Sequence, residues 1–226
     1  MKLGVLLPTF RNGAADALDY AARAVEAGLD GLFAYDHLWP MGSPTRPSLA
    51  PFPLLAAVAR RHDSVTVAPL VARVGLVGTP HLVEEFLTLE RVAPGRVICA
   101  LGAGDRLSAA ENEAYDIPTR AADERRALMA ETARELGGRM PVWFGAGNDE
   151  TNRVAREVGA TINLWDASAP RVRDMATSGA VSWAGPVPSD VTATLNAVRD
   201  AGATWAVFSP DADLNALRQW RQTHAD

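Results

Sequence analysis

Short apolar runs alternate with amphipathic segments along the whole chain. The first run, 3–8, is followed by an alanine-rich segment, 14–27, whose apolar residues recur at helical spacing and which Gly28 ends. The same order recurs to the end of the chain, so the pattern predicts eight strand–helix units. The predicted strands are 3–8, 31–35, 65–71, 96–101, 142–144, 160–165, 180–184 and 204–208. The predicted helices are 14–27, 53–62, 79–92, 119–136, 149–158, 170–177, 189–201 and 213–223.

Strands that alternate with helices form a parallel sheet with right-handed crossovers. Eight such units in one chain predict a closed α/β fold, the (β/α)8 TIM barrel, which typically takes about 250 residues and is known from about 200. With 226 residues the chain is a compact example. An open doubly wound sheet is the alternative, but it usually has fewer strands and more polar edge strands. No linker-like segment divides the chain, so we expect one barrel domain over 1–226.

Composition narrows the class of partner. An apolar content of 48% and a charged content of 22% are typical of a soluble globular protein. A net charge of −5 gives no reason to expect nucleic acid or an anionic membrane as a partner. The single cysteine, Cys99, suits a reducing compartment, so we expect a cytoplasmic protein with Cys99 as a core residue. Residues 1–10 are interpreted as the first strand and not as a signal peptide, and Arg73 interrupts the longest apolar run.

Functional groups on a (β/α)8 barrel lie at the carboxyl ends of the strands. That rule selects 9–10, 36–39, 71–73, 102–105, 145–148, 165–166, 184–185 and 209. These positions contain no serine–histidine pair at elbow spacing and no cluster of metal ligands, and Lys2 is the only lysine of the chain. We therefore expect a cofactor to supply the chemistry, while the protein supplies position and electrostatics.

Two similar glycine turns end the fourth and fifth predicted strands. Gly102-Ala103-Gly104 follows Leu101, and Gly145-Ala146-Gly147 follows Phe144. Glycine allows a sharp turn and a close approach of the backbone to a ligand. Because adjacent strands end side by side, these turns predict that a ligand lies across both of them.

The fifth-strand turn leads directly into a helix. Asn148 is a good N-cap, and the free N–H groups of a helix start bind anions. The sequence therefore predicts that Asn148 and Thr151 help to hold a cofactor phosphate. Asp149 and Glu150 argue against this, because carboxylates in the first turn repel a phosphate. Arg106, in the fourth-strand loop, is a candidate for the compensating cation.

The strand-end motifs, taken together, resemble the luciferase-like monooxygenase superfamily, whose members are flavin- or deazaflavin-dependent (β/α)8 barrels. The similar segments are Asp36-His37-Leu38-Trp39-Pro40, 80–96 with Pro94-Gly95-Arg96, Leu101-Gly102-Ala103-Gly104, Pro141-Val142-Trp143-Phe144-Gly145 and 155–165. Their order and spacing cover nearly the whole chain. The chain departs from the family where an insertion usually precedes the fifth strand, because 136–140 lead straight into Pro141. An arginine expected early in the fourth helix is out of register, with Arg120 and Arg125 nearest.

The resemblance implies an oxidoreductase that moves a hydride, or oxygenates a small organic substrate, with coenzyme F420 (a 5-deazaflavin) or FMN. The segment from His37 to Pro40 resembles the deazaflavin-dependent branch of the family more closely than the luciferases. His37 would face the ring and assist proton transfer, for which an imidazole is suited near neutral pH. Phe10, the turn glycines and Ala72 would contact the cofactor, Ala72 because many relatives have a bulge or a non-prolyl cis peptide at that strand end. Dimers are common in the family.

The aromatic residues at strand ends and inside strands receive different interpretations. Trp39 and Trp165 lie at strand ends and are candidates to line the substrate or the planar ring. Three further tryptophans lie within strands and are predicted to pack between sheet and helices: Trp143, Trp183 and Trp205. Asp36 is expected to face away from the site and to pair with a helix terminus or an arginine.

Two other functions remain open from the sequence. The trimmed insertion and the acidic turn at 149–150 also suit a non-catalytic or vestigial flavin-binding barrel. A cofactor-free TIM-barrel enzyme is the third hypothesis, which the shortage of paired titratable groups weakens.

Overall fold

The computed structural model describes residues 1–40, 42–104, 108–145 and 147–224. The strands in this part of the chain are β1 (Lys2–Leu6), β2 (Gly31–Ala34), β3 (Thr66–Pro69), β4 (Ala72–Arg73), β5 (Cys99–Gly102), β6 (Val142–Gly145), β7 (Thr161–Trp165), β8 (Val181–Gly185) and β9 (Ala203–Phe208). The helices are α1 (Ala15–Glu26), α2 (Pro51–Arg61), α3 (Thr79–Val92), α4 (Ala109–Ala114), α5 (Ala122–Leu136), α6 (Asp149–Glu157), α7 (Ala169–Ala176), α8 (Val191–Asp200) and α9 (Leu214–Thr223).

The strands form one parallel sheet that curls into a barrel. Their order is β3-β2-β1-β9-β8-β7-β6-β5-β4, and neighbouring strands are parallel throughout. A parallel bridge between Val67 and Val97 brings the two ends of the sheet together. There Val67 N donates to Arg96 O at 2.8 Å, and Ile98 N donates to Val67 O at 3.3 Å. The predicted (β/α)8 barrel is confirmed.

The third predicted strand, 65–71, is divided in the structure. β3 ends at Pro69, the peptide between Leu70 and Val71 is cis, and β4 follows at Ala72. β3 pairs with β2, whereas β4 pairs with β5. In the described part of the chain the sheet therefore has nine strands where eight were predicted. The carboxyl end of the predicted third strand is the separate strand β4, which pairs with β5.

Local details of two helices also differ from the sequence prediction. The segment 102–118 was predicted as a loop, but it contains the short helix α4. The helix predicted at 79–92 begins at Thr79, and Gly78 holds the cap position. The helix predicted at 189–201 begins two residues later, at Val191, and Asp190 caps it, because its Oδ1 accepts from Ala193 N at 2.8 Å.

Large aromatic side chains fill the inside of the barrel. The interior cluster consists of Leu6, Phe33, Ala68, Leu70, Ile98, Ala100, Trp143, Ala184, Trp205 and Val207. The rings of Phe33, Trp143 and Trp205 contact one another, with centroids 5.7–5.9 Å apart. Trp143 and Trp205 therefore pack inside the barrel. The prediction that they pack between the sheet and the helices is wrong. The prediction holds for Trp183, which lies in the outer core.

Glycines on neighbouring strands make room for these rings. A Cβ on Gly4 would lie 2.5 Å from the Phe33 ring, and one on Gly31 would lie 2.7 Å from the Trp205 ring. Side chains at these positions are therefore incompatible with the aromatic interior. Cys99 is buried in the outer core, and burial raises the pKa of its thiol.

Arg96 ties the outer layer to the seam where the barrel closes. Its guanidinium donates to Ala59 O at 3.2 Å, His62 O at 3.0 Å and Val65 O at 2.9 Å. These carbonyls belong to the last turn of α2 and to the segment before β3. The Arg96 side chain therefore fixes the end of α2 against segment 96–98, whose backbone forms hydrogen bonds with Val67.

We predict that Arg96→Met lowers the free energy of unfolding by about 2–4 kcal/mol, because three carbonyls lose a charged donor. Urea denaturation monitored by tryptophan fluorescence measures the change. Arg91→Met is the matched control, since among the described residues Arg91 makes only an exposed pair with Glu84 at 3.5 Å. This substitution should change the free energy of unfolding by less than about 0.5 kcal/mol. Equal stability of the two variants would contradict the role given to Arg96.

Candidate active site

Three charged or titratable side chains meet at the carboxyl edge of the barrel. His37 follows β2, Arg73 ends β4 and Glu111 lies on α4. His37 Nδ1 is 2.9 Å from Glu111 Oε1, and Arg73 Nη2 is 3.0 Å from Glu111 Oε2. The sequence predicted His37 at this edge, and the structure joins it to a carboxylate that the sequence did not single out.

Burial makes this group unusual. The Glu111 side chain is 1% exposed and the Arg73 side chain 7%, whereas the His37 side chain is 25% exposed. A buried carboxylate is stable as an ion only beside a cation and with hydrogen bonds. Arg73 supplies the cation, although its contact with Oε2 is an ion pair and not an aligned hydrogen bond. His37 supplies the hydrogen bond.

Asp36 connects the ends of β2 and β4. Its Oδ2 accepts a hydrogen bond from Arg73 N at 2.9 Å. Burial raises the pKa of Asp36, and the Arg73 N–H opposes that rise by favouring the ionised form. The partner is the backbone of an arginine, which places Asp36 beside the site as a structural link between two strand ends.

The floor of the barrel mouth is formed by Val71 between two glycines. A Cβ on Gly102 would lie 2.3 Å from Val71 Cγ2, and one on Gly145 would lie 3.2 Å from Val71 Cγ1. The missing side chains of these two strand-end glycines are thus replaced by Val71, which packs on the barrel interior. Ala72, the predicted contact of this strand, is fully buried in the outer core, so Val71 is the residue that reaches the mouth.

Aromatic rings stand beside this floor. Phe10 stacks on Tyr35 with centroids 5.5 Å apart and planes 8° apart, and Tyr35 lies 6.4 Å from Trp165. Trp165 is 51% exposed, an unusual state for an indole. Burial, with the nearby charge of Asp211, raises the pKa of Tyr35 to about 12, so its hydroxyl stays neutral. The predicted residues Phe10 and Trp165 therefore lie on one aromatic wall, with Tyr35 between them.

Trp39 lies apart from that wall. It is 7% exposed and packs against Tyr115, with centroids 5.5 Å apart. Tyr115 follows α4 and is 55% exposed. Trp39 thus contacts the element that carries Glu111, and its ring is largely covered.

The start of α6 has the predicted cap. Asn148 Oδ1 accepts from Thr151 N at 2.9 Å, and Thr151 is buried. These two groups satisfy each other, which leaves the N–H groups of Asp149 and Glu150 for a ligand. Among the described residues, a Cβ on Gly147 would have no neighbour within 4 Å.

The two carboxylates in this first turn have arginine partners. Asp149 Oδ1 is 3.5 Å from Arg171 Nη2, and Glu150 Oε2 is 3.7 Å from Arg126 Nη2. The only compensating cation predicted from the sequence was Arg106. Arg106 and Ala146 lie outside the described residues, whereas Arg126 and Arg171 are placed beside the turn.

The fourth-strand turn is held by an arginine of α5. Arg125 Nη1 donates to Gly104 O at 3.1 Å, and Gly104 has a φ of +67°. A Cβ on Gly104 would lie 3.0 Å from Arg73 Cδ, so glycine suits both the backbone and the packing there. Ala103 packs against the outer core. Of the two arginines nearest the position expected for the family, Arg125 is thus the one bonded to this turn.

Within the described residues, no group of three or more His, Cys, Asp or Glu side chains is arranged to hold a metal ion. No helix in the same part of the chain combines the length and apolar composition that crossing a membrane requires.

Sequence comparisons identify relatives. The sequence profile of the luciferase-like monooxygenase family matches residues 1–137. An F420-dependent glucose-6-phosphate dehydrogenase of Intrasporangium calvum is 31% identical over 134 residues, which are 58% of this chain and 40% of the relative. The enzyme of the same name from Beutenbergia cavernae is 34% identical over 96 residues, which are 42% of this chain and 29% of the relative. The match therefore spans less than half the length of these curated relatives.

A structural comparison gives a fuller overlap. A solved structure of an F420-dependent secondary alcohol dehydrogenase in complex with an F420-acetone adduct has a TM-score of 0.81, with 100% of this chain and 99% of that chain covered. The two sequences are 12% identical, so the likeness establishes the fold alone.

The contact between Gly102 and Val71 yields a testable coupling. We predict that Gly102→Ala lowers the free energy of unfolding by about 1–3 kcal/mol, because the new Cβ overlaps the Val71 side chain. In a Val71→Ala background the same change should cost less than about 1 kcal/mol, since the obstructing methyl groups are absent. Urea denaturation of the four proteins of this double-mutant cycle gives the coupling energy, and additive effects would contradict the proposed contact.

Proposed function

The chain belongs to the luciferase-like monooxygenase family, and from that premise we propose that it is an oxidoreductase that uses coenzyme F420 to transfer a hydride to or from a small organic substrate. The observation that carries the proposal is the hydrogen bond from His37 to the buried Glu111 at the mouth of the barrel. Such a pair serves proton transfer, which must accompany hydride transfer between a hydroxyl and a carbonyl compound.

The residues of the mouth fit a planar ring. Val71 forms an apolar floor, and the two glycines beside it, Gly102 and Gly145, add no side chain that would fill the space above the strand ends. Phe10, Tyr35 and Trp165 supply an aromatic wall against which a flat heterocycle packs favourably. When bound there, the deazaflavin would supply the site that accepts or donates the hydride.

The start of α6 fits the phosphate of the cofactor tail. Within the described part of the chain, no side chain or backbone atom crowds Gly147, and the N–H groups of Asp149 and Glu150 have no hydrogen-bond partner. Arg126 and Arg171 offset the two carboxylates. Their ion pairs are long and at least partly exposed, so an arriving phosphate can replace the carboxylates as partner at small cost.

His37 is the proposed catalytic residue. Its Nδ1 is bonded to Glu111, and the imidazole is partly exposed at the mouth. In the oxidation of an alcohol, His37 would accept the hydroxyl proton. The bound cofactor would accept the hydride from the carbon atom that bears the hydroxyl group. The reverse reaction would return the proton to a carbonyl oxygen.

The choice of F420 over FMN rests on the names of the curated relatives and on the text from His37 to Pro40. Because the matched segments span only part of those relatives, their sugar-phosphate substrate is not transferred to this chain. We propose a small hydroxyl or carbonyl compound as substrate, a cytoplasmic location and a homodimer. A vestigial barrel that binds flavin without turnover is the alternative that the experiments below exclude or support.

The cofactor assignment predicts a spectroscopic result. Titration of the purified protein with oxidised F420, monitored by quenching of protein and deazaflavin fluorescence, should give saturable binding, with FMN binding at least about tenfold more weakly, a difference of about 1.4 kcal/mol. Trp165→Ala should weaken F420 binding, because part of the stacking wall is removed. Equal or tighter binding of FMN would reassign the cofactor, and binding of neither would reject the proposal.

The catalytic assignment predicts the effect of removing the imidazole. His37→Ala should lower kcat for F420-coupled oxidation of small alcohols, with isopropanol and glucose 6-phosphate as first probes, by about 10²–10⁴-fold. F420 affinity should change little, because the ring wall is intact. His81→Ala is the control, since His81 lies on α3 and pairs only with Glu85. Unchanged turnover in His37→Ala would refute the assignment, and F420 binding without turnover of any probe by the parent protein would support a vestigial barrel.

A further inference from the structure

We propose that Glu111 is a positioning residue that, with Arg73 behind it, holds the proton of the neutral His37 imidazole on Nδ1 and leaves the lone pair on Nε2. The catalytic consequence of this arrangement rests on the proposed function. The position of the proton does not, because it follows from contacts among residues of the chain itself.

The first step concerns the state of Glu111. Its carboxylate is 1% exposed, so water cannot stabilise the charge, and the Arg73 guanidinium lies 3.0 Å from Oε2. Arginine is always protonated in proteins, and it favours the ionised form of a carboxyl group beside it. Glu111 is therefore a carboxylate, which can only accept hydrogen bonds.

The second step concerns the imidazole. Because Glu111 Oε1 is an acceptor 2.9 Å from Nδ1, Nδ1 must carry the donated hydrogen. In a neutral ring Nε2 then has the lone pair. No hydrogen bond to Nε2 comes from the residues described, and the His37 side chain is 25% exposed. Nε2 is thus the nitrogen available to a ligand.

The third step concerns what keeps the geometry fixed. The Arg73 backbone N–H is bound to Asp36 Oδ2 at 2.9 Å, and Asp36 directly precedes His37. The contacts Asp36–Arg73, Arg73–Glu111 and Glu111–His37 therefore close a circuit that returns to the β2 end through one peptide bond. We call these four residues the His37 circuit. A circuit of this kind limits both rotation of the imidazole and displacement of α4.

The consequence for the reaction is directional. A substrate hydroxyl could give its proton to Nε2, and the bound deazaflavin would supply the acceptor for the hydride of the hydroxyl-bearing carbon, which becomes a carbonyl. The resulting imidazolium keeps its Nδ1–H against a carboxylate, which stabilises the new positive charge. With the opposite tautomer, the proton-accepting nitrogen would face Glu111 and be unavailable to substrate.

Nitrogen-15 NMR of the cofactor-free protein tests the tautomer without any activity measurement. The chain has four histidines, so the His37 signals are assigned from their loss in His37→Gln. Above the titration range of the ring, we expect a protonated Nδ1 and an unprotonated, pyridine-like Nε2. Glu111→Ala should shift the ring toward the Nε2–H tautomer that the side chain of free histidine prefers. Arg73→Met should do so as well, because an unpaired buried Glu111 would bind a proton and then donate to Nδ1.

Controls separate this effect from misfolding. Glu113→Gln alters an exposed glutamate on the same helix and should leave the His37 signals unchanged. Glu111→Gln preserves the size of the side chain, and its amide can donate or accept, so a mixture of tautomers is expected. The signals of the other histidines report whether each variant is folded. An Nε2–H tautomer in the parent protein, or no shift in folded Glu111→Ala, would overturn the proposal.

Kinetics then separate the two proposals. In Glu111→Gln, kcat should fall by roughly 10²-fold while KM for the alcohol changes little, since only the proton-transfer step loses its support. If the tautomer is as stated but the parent protein turns over no alcohol probe with F420, the proposed function fails and the positioning of the ring stands. If the tautomer is reversed while His37→Ala is inactive, the positioning role of Glu111 fails and the proposed function stands.

Discussion

The packing of three large rings inside a narrow barrel is the constraint on which the rest of the structure depends. Phe33, Trp143 and Trp205 occupy the interior together, and Gly4 and Gly31 are the positions that give way to them. An interior filled in this way is a packed core and not a pore. A ligand is therefore confined to the layer above the rings, where Tyr35 and Val71 close the interior. The aromatic core thus sets the depth of the site as well as the stability of the barrel.

Above that layer, buried charge decides which conformation the strand ends adopt. Removing one partner of a buried ion pair typically costs about 3–5 kcal/mol, because the other charge stays uncompensated. Glu111 and Arg73 are each almost fully buried, so their ion pair stabilises the packing of α4 against the end of β4. Since α4 has only six residues, its own hydrogen bonds would not hold it there. The same contact that fixes this short helix brings a carboxylate to His37, so positioning and chemistry have one physical source.

The barrel was predictable from the sequence because each strand is a short apolar run and each helix has its own periodicity. The cap of α6 by Asn148 was predictable for the same reason, since a cap is a local interaction. The break between β3 and β4 did not follow from the apolar pattern, because the run continues through Leu70 and Val71, and only the family resemblance implied a bulge or a cis peptide at that strand end. Glu111 was also missed: its partner His37 is 74 residues away, and nothing in the surrounding polar segment distinguishes it from its neighbour Glu113. A buried charge is recognised only after the fold brings its counter-charge to it.

The acidic first turn of α6 illustrates how such pairing alters an inference. Taken alone, Asp149 and Glu150 oppose a phosphate, but the fold places Arg171 and Arg126 beside them. Exposed ion pairs are worth about 0–1 kcal/mol, so these pairs are easily exchanged. A phosphate at the helix start would interact with both guanidinium groups, and the displaced carboxylates can turn to solvent. The acidic residues then act as temporary partners that keep two arginines near an open Gly147, which makes the turn compatible with an anion that its sequence alone disfavours.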